Sequence, residues 1–225
     1  MGNPADRTPP VSPPALWLRA ARMAVLHIVR FPIRVGLGLA CSVRVIGEER
    51  IPKRGSLIVA PNHTSFADPV ILQAYFPRHL TYLMTEKYYG LPFLRKFFRF
   101  WGVVSLREEG WNRDALRRAE EVLAAGRTVA IFPEGAISRD GRIHEAKPGI
   151  AVLARRAGAP ILPVGIAGPE RLLPPDTWRL HRAPIALYIG ELISPVGLGR
   201  EELVAKVSEA LRTYGTLARQ HLPRH

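Results

Sequence analysis

Short apolar runs alternate with amphipathic stretches along most of this chain. Beyond Ile46-Gly47, the runs SLIVA (56–60), LTYLMT (80–85), VVSL (103–106), TVAIF (128–132), APILPVGI (159–166) and PIALYIGELI (184–193) are rich in β-branched residues and predict strands. Helical spacing predicts helices between them: from Asp68 to Phe76, through LPFLRKFFRF, over 112–125, near 149–157, and over 200–218 with a polar face. That order is an α/β order. It predicts a single domain over 42–219, with a mostly parallel, mixed sheet covered by helices on both faces, and a tail at 220–225. In open sheets of this kind, sites gather beyond the carboxyl ends of the strands.

The region before the domain has a different pattern. Residues 1–13, MGNPADRTPPVSP, are Pro-rich and nearly free of large apolar groups, which predicts a disordered arm. Residues 14–41 are apolar enough to suggest a membrane span, but Arg19, Arg22, Arg30 and Arg34 would each cost about 2.5–3.5 kcal/mol inside a bilayer. On a helix these arginines fall within roughly a 120° arc, with His27 beside it and Trp17, Leu18, Met23, Val25, Leu26, Ile28, Val29 and Phe31 over most of the rest. Two readings stand together: a helix lying in an anionic membrane interface, or one packed on its own domain with its arginines in solvent. Pro32 predicts a kink or division near Phe31. Asp6 stands where myristoylation requires Ser or Thr, and Gly38 where a lipoprotein signal requires a large aliphatic residue, so no lipid anchor is expected.

Charge and cysteine content narrow the function classes. With 32 Lys+Arg against 19 Asp+Glu, the net charge of +13 points to an anionic partner: nucleic acid, anionic lipid or a phosphorylated substrate. One cysteine, Cys41, excludes an intramolecular disulfide framework and a Cys-rich zinc site. No second His or carboxylate stands at ligand spacing near His63, so no metal site is expected.

The chemistry concentrates in PNHTSFADPV, residues 61–70, which follow the first of these strands. On a continuous helix, His63 and Asp68 would point about 140° apart. A strand-to-helix loop brings them together, with Asp68-Pro69 as N-cap and first helical position, or with Ser65-x-x-Asp68 as a capping box. The carboxylate then holds one imidazole nitrogen and leaves the other to take a proton, a task suited to a group with an ordinary pKa of about 6.5. The bland alternative is that Asp68 only caps the helix. No Gly-x-Ser-x-Gly elbow appears, and Cys41 precedes the domain, so a covalent nucleophile is disfavoured.

NHTSFADP, the GVVSLR segment ending at Arg107, FPEGAISRDGR and ILPVGI together resemble the four blocks of the glycerolipid acyltransferase family, from about Pro61 to Ile166. The resemblance implies an O-acyltransferase in which His63 deprotonates the acceptor hydroxyl, Asp68 orients the imidazole, and no metal or organic cofactor takes part. It implies substrate-binding roles for Arg107, Glu134, Gly135, Ser138 and Arg139, with Arg107 on the acceptor's phosphate. As a bland alternative, Pro133-Glu134-Gly135 is simply a turn. The implied reaction moves an acyl chain from acyl-CoA or acyl-carrier protein to a lysophospholipid, foremost 1-acyl-sn-glycerol-3-phosphate, giving phosphatidic acid for phospholipid biosynthesis.

One departure leaves the acceptor open: Ala136-Ile137 stands where phosphatidic-acid-forming enzymes usually carry Thr-Arg. Arg139, Arg142 or Lys147 then supply the missing charge, or the acceptor is another lyso-lipid such as a lyso-ornithine lipid. The expected partner is an anionic membrane surface rather than nucleic acid, with the protein peripheral on the cytoplasmic face of the cell membrane. A non-catalytic basic module is the alternative from another class.

Overall fold

Strand β2 (Leu57–Pro61) is buried along its whole length, which is the pattern of a central strand covered on both faces. The computed structural model describes residues 30–85, 104–106, 113–174 and 179–223. The other strands are β1 (Val43–Ile46), β3 (Leu80–Thr85), β4 (Val104–Leu106), β5 (Thr128–Ala130), β6 (Ile161–Ala167) and β7 (Ile185–Ile189). They form a seven-stranded sheet in the order β1-β7-β6-β2-β5-β3-β4. Every neighbouring pair is parallel except β6 with β7. The α/β, mostly parallel sheet expected from the sequence is therefore the fold of the protein.

Pleating divides the core. Ile58 and Ala60 of β2 face α3 (Arg113–Ala124), α4 (Gly149–Ala157) and α6 (Arg200–Gln220). Leu57 and Val59 face the opposite way, toward α2 (Asp68–Tyr75), the helix α1 over residues 30–40, and α5 (Pro169–Leu172). The predicted helix through LPFLRKFFRF lies outside the described residues. Strand β1 is not foreseen from the sequence, because Val43, Val45 and Ile46 are only partly buried and the exposed Arg44 interrupts their apolar character. The run 184–193 is shorter as a strand than its pattern suggests: β7 ends before Gly190, where the Tyr214 ring occupies the space a Cβ would need. Ile193 then returns as a single bridge to Ile161.

The described part of the amphipathic segment corrects its expected orientation. Arg30 donates to the carbonyls of Ala74 and Phe76, satisfying the end of α2, and the Arg34 guanidinium lies 5.0 Å from the centre of the Tyr75 ring. Arg30 is thus engaged by the domain, whereas Arg34 lies over the Tyr75 ring and stays exposed. An apolar stripe faces outward beside Arg34, with Phe31 72% exposed, Val35 46% and Leu39 77%. Leu37 and Ala40 pack on the core below. Arg19, Arg22 and His27 lie outside the described residues.

Helix α6 sits unusually close to the sheet. A Cβ on Gly165 of β6 would fall 1.9 Å from the Tyr214 carbonyl oxygen and 2.7 Å from the Gly215 nitrogen, both backbone atoms that cannot rotate aside. We expect Gly165→Ala to push α6 off β6 and lower unfolding stability by about 1–3 kcal/mol, the usual cost of overpacking. Urea denaturation measures it; an unchanged midpoint would show that the helix yields freely.

Candidate active site

The loop from Asn62 to Ala67 is built around the side chain that follows it. Asp68 is fully buried, and its Oδ2 accepts from the Thr64 N–H at 2.7 Å, the Ser65 N–H at 2.9 Å and His63 Nδ1 at 2.8 Å. The Thr64 hydroxyl adds a fourth bond, to Oδ1, at 3.1 Å. An ionised carboxylate only accepts, so Nδ1 carries the imidazole proton and Nε2 keeps its lone pair. The bond from the Ser65 N–H to Asp68 reproduces one arm of a capping box, but Ser65 Oγ accepts from the Ala67 N–H, and the Asp68 N–H bonds the Ser65 carbonyl instead. Regular helix nevertheless begins at Asp68, with Ala67 as its N-cap. Of the two sequence readings of this junction, the box describes one arm of the bonding, and Asp68 is the first helical residue instead of the N-cap.

Neighbouring elements hold the loop to the sheet. Asn62 bridges to β6 in both directions: its Nδ2 donates to the Ile166 carbonyl at 3.1 Å and its Oδ1 accepts from the Ile166 N–H at 2.6 Å. Ser65 Oγ donates to the Leu173 carbonyl at 2.7 Å. The Phe132 ring stacks on the His63 imidazole at 3.9 Å between centroids and 20° between planes, with Tyr82 behind it at 6.4 Å. Burial pushes the Tyr82 phenol well above its ordinary range, and the Asp68 charge adds to this. Tyr82 thus remains a neutral donor, bonded to the Pro69 carbonyl at 2.8 Å. His63 keeps 16% of its side-chain surface exposed.

Glu134 ties this loop to the one after β5. Its Oε1 accepts from the His63 N–H and its Oε2 from the His144 N–H, each at 2.8 Å. The Ser138 N–H donates back to the His63 carbonyl at 2.9 Å, so the peptide units on both sides of His63 are fixed. Gly135 adopts φ 75°, and a Cβ there would meet Lys147 Nζ at 2.6 Å, since the lysine chain lies along the turn. Pro133-Glu134-Gly135 is a turn, as the bland reading holds, and its carboxylate is also built into the histidine loop. Ser138 is buried, with its hydroxyl on Asp140 Oδ1 at 3.1 Å. Arg139 is exposed on the same loop, and Arg107 lies outside the described residues.

Sequence reasoning missed Asn62, Phe132 and the His144 N–H. Asn62 lies within the stretch that drew attention to His63 and Asp68, but nothing local reveals a partner more than a hundred residues away. Phe132 read as the last residue of a strand, whereas β5 ends at Ala130 and leaves the ring in the turn.

Burial pushes the Glu134 carboxyl above the ordinary glutamate value, against the opposing pull of the two N–H groups. Its contribution to stability is therefore complete below the unfolded value of 4.5 and is lost as pH rises through the raised one. Glu134→Gln abolishes this dependence and sets an amide NH2 against one N–H, at a cost of about 1–3 kcal/mol. The stability of wild type relative to this variant, from urea denaturation at several pH values, should fall as pH rises across that window. A pH-independent difference would contradict the assignment.

Comparison with known proteins agrees with this architecture. Residues 42–167, more than half of the chain, match the family model described as Acyltransferase. The 1-acyl-sn-glycerol-3-phosphate acyltransferase of Borreliella burgdorferi is 31% identical over 140 residues, covering 61% of this chain and 56% of that one. The chain thus spans about half the length of that relative. The lyso-ornithine lipid O-acyltransferase of Pseudomonas aeruginosa is 29% identical, covering 82% of this chain and 77% of its own. The crystal structure of the 1-acyl-sn-glycerophosphate (LPA) acyltransferase PlsC from Thermotoga maritima superposes with a TM-score of 0.79 at 28% identity, over 92% of this chain and 84% of the other. With the sheet, the histidine loop and the family match in agreement, this chain belongs to the acyltransferase family.

Proposed function

We propose that this protein is an O-acyltransferase that moves an acyl chain from acyl-CoA or acyl-carrier protein to the free hydroxyl of a lysophospholipid, with 1-acyl-sn-glycerol-3-phosphate as the favoured acceptor and phosphatidic acid as product. The observation that carries this reading is the His63–Asp68 contact at the carboxyl edge of the sheet. His63 Nε2 takes the hydroxyl proton as the oxygen attacks the thioester carbonyl, and the new imidazolium is stabilised by Asp68 and by the Phe132 face. The carbon–oxygen bond forms, the carbon–sulfur bond breaks, and the departing thiolate receives the proton from His63. No metal or organic cofactor is needed for these steps.

The third-block turn favours keeping a second acceptor in view. Ala136 is exposed and Ile137 half-buried, so neither brings positive charge to the turn, and the lyso-ornithine lipid O-acyltransferase covers most of this chain. An acceptor panel that includes lyso-ornithine lipid decides between them. A charge-only nucleic-acid module has no use for the His63 geometry.

The outward face of α1 supports a reading of membrane attachment. Phe31, Val35 and Leu39 form an outward apolar stripe on a chain of net charge +13, a pairing suited to an anionic bilayer and to a peripheral position on the cytoplasmic face of the cell membrane. No described helix is long and apolar enough to cross a membrane.

His63→Ala should lower thiol release from acyl-CoA plus lysophosphatidic acid by about a hundredfold or more in a protein that still folds. Undiminished turnover would remove the catalytic assignment. In a sedimentation assay, Phe31→Ser with Leu39→Ser should weaken binding to anionic liposomes without loss of fold; unchanged binding would contradict attachment through this stripe.

A further inference from the structure

A cleft of about 380 Å3 opens beside the catalytic loop. Thr64 and Ser138 line it, the first adjacent to His63 and the second bonded through its N–H to the His63 carbonyl. Arg171, from the last turn of α5, and Arg219, from the last turn of α6, line the same cleft together with Gly141. Arg219 donates one N–H to the Gly141 carbonyl at 2.5 Å, and a guanidinium has five such donors. Neither arginine forms an ion pair with a described carboxylate. The single carboxylate in the lining, Glu170, accepts from its own Gly168 N–H at 2.9 Å. Two guanidiniums against one partly engaged carboxylate leave the cleft positive.

We propose that Arg171 and Arg219 contribute to the subsite for the phosphate of the acceptor, beside the Arg107 that the family resemblance implies there, a role nothing in the four sequence blocks assigns to them. The proposal rests on the acyltransferase reading above. A phosphate monoester is a dianion whose oxygens match the planar forks of two guanidiniums. In a lysophosphatidic acid, the phosphate hangs from the carbon next to the one bearing the reacting hydroxyl, so its subsite must adjoin the general base. The phosphates of acyl-CoA lie a whole pantetheine arm away from the thioester, and a cleft walled by the neighbour of His63 does not suit them. The third-block turn offers no cation at Ala136 or Ile137, and neither Arg139 nor Arg142 lines this cleft.

The test compares wild type with Arg171→Gln, Arg219→Gln and the double variant. Thiol release is followed with lysophosphatidic acid and with monoacylglycerol, which lacks the phosphate, at varied acyl-CoA. The double variant should raise KM for lysophosphatidic acid roughly tenfold or more, the usual consequence of losing charge-assisted bonds, with a much smaller change in the KM for monoacylglycerol and for acyl-CoA. Arg171→Gln alone should show part of the effect, and since Arg171 has no side-chain bond to another described residue its fold should be unaffected. Binding of glycerol 3-phosphate, measured by calorimetry, should weaken in the double variant and persist in His63→Ala. An unmoved KM for lysophosphatidic acid, or a rise confined to acyl-CoA, overturns the subsite while leaving the acyltransferase reading intact. Absence of thiol release from wild type with every acceptor, alongside glycerol 3-phosphate binding that depends on the two arginines, overturns the activity and upholds the subsite.

Discussion

A buried carboxylate with no described Lys or Arg against it governs the shape of this site. Taking Asp68 out of water costs several kcal/mol unless its lone pairs are filled by donors. The donors come from the immediately preceding chain: the N–H groups of Thr64 and Ser65, the Thr64 hydroxyl and the His63 ring. Two adjacent backbone N–H groups reach one oxygen only if the chain curls around it, so the curl of residues 62–67 follows from the burial of that charge. The curl in turn sets the imidazole tautomer. Stability and chemistry therefore draw on the same four bonds, and a change at Asp68 acts on both.

The sheet order brings the remaining parts to this loop. Strand β2 lies between β5 and β6, all three parallel, so the segments leaving their carboxyl ends emerge side by side. Asn62 reaches sideways to β6 and the His63 N–H reaches to Glu134 beyond β5. Glu134 is the more demanding link, because a carboxylate can accept from both sides at once and an amide cannot. Its two bonds join backbone units that lie far apart in sequence, and the loop after β5 becomes a second wall of the histidine loop.

Much of this was legible in the sequence, and what was not has a consistent cause. The runs LTYLMT and GIAVLARRA coincide with a strand and a helix because their patterns are uninterrupted and their ends carry clear signals. His63 and Asp68 could be paired on paper because five residues separate them and a proline fixes the start of the helix. Asn62 with Ile166, Glu134 with His144, and Arg30 with the end of α2 could not, since each depends on a register or a packing direction that local pattern does not encode. The outward stripe of α1 shows this most plainly. Periodicity separated its apolar and basic sides correctly, but which side met the domain was decided by unsatisfied carbonyls at the end of α2 and by the Tyr75 ring.

Helix α6 read as a polar-faced helix at the end of the chain, yet it completes the site from behind. Ser208, Gly215 and Arg219 recur at spacings of seven and four, which places them along one stripe. Ser208 Oγ accepts from the Ala146 N–H at 2.9 Å, Gly215 leaves room for Ile143, and Arg219 reaches the Gly141 carbonyl. All three contacts fall on the segment that follows Glu134. The same helix is pressed against β6 where Gly165 has no side chain to hold it off. A small residue on the sheet thereby fixes the height of α6, α6 fixes the loop over 141–146, and that loop presents the His144 N–H to Glu134. The position of the imidazole is thus set by a closed circuit of backbone contacts, from β2 through Asn62 to β6, across α6, and back through Glu134.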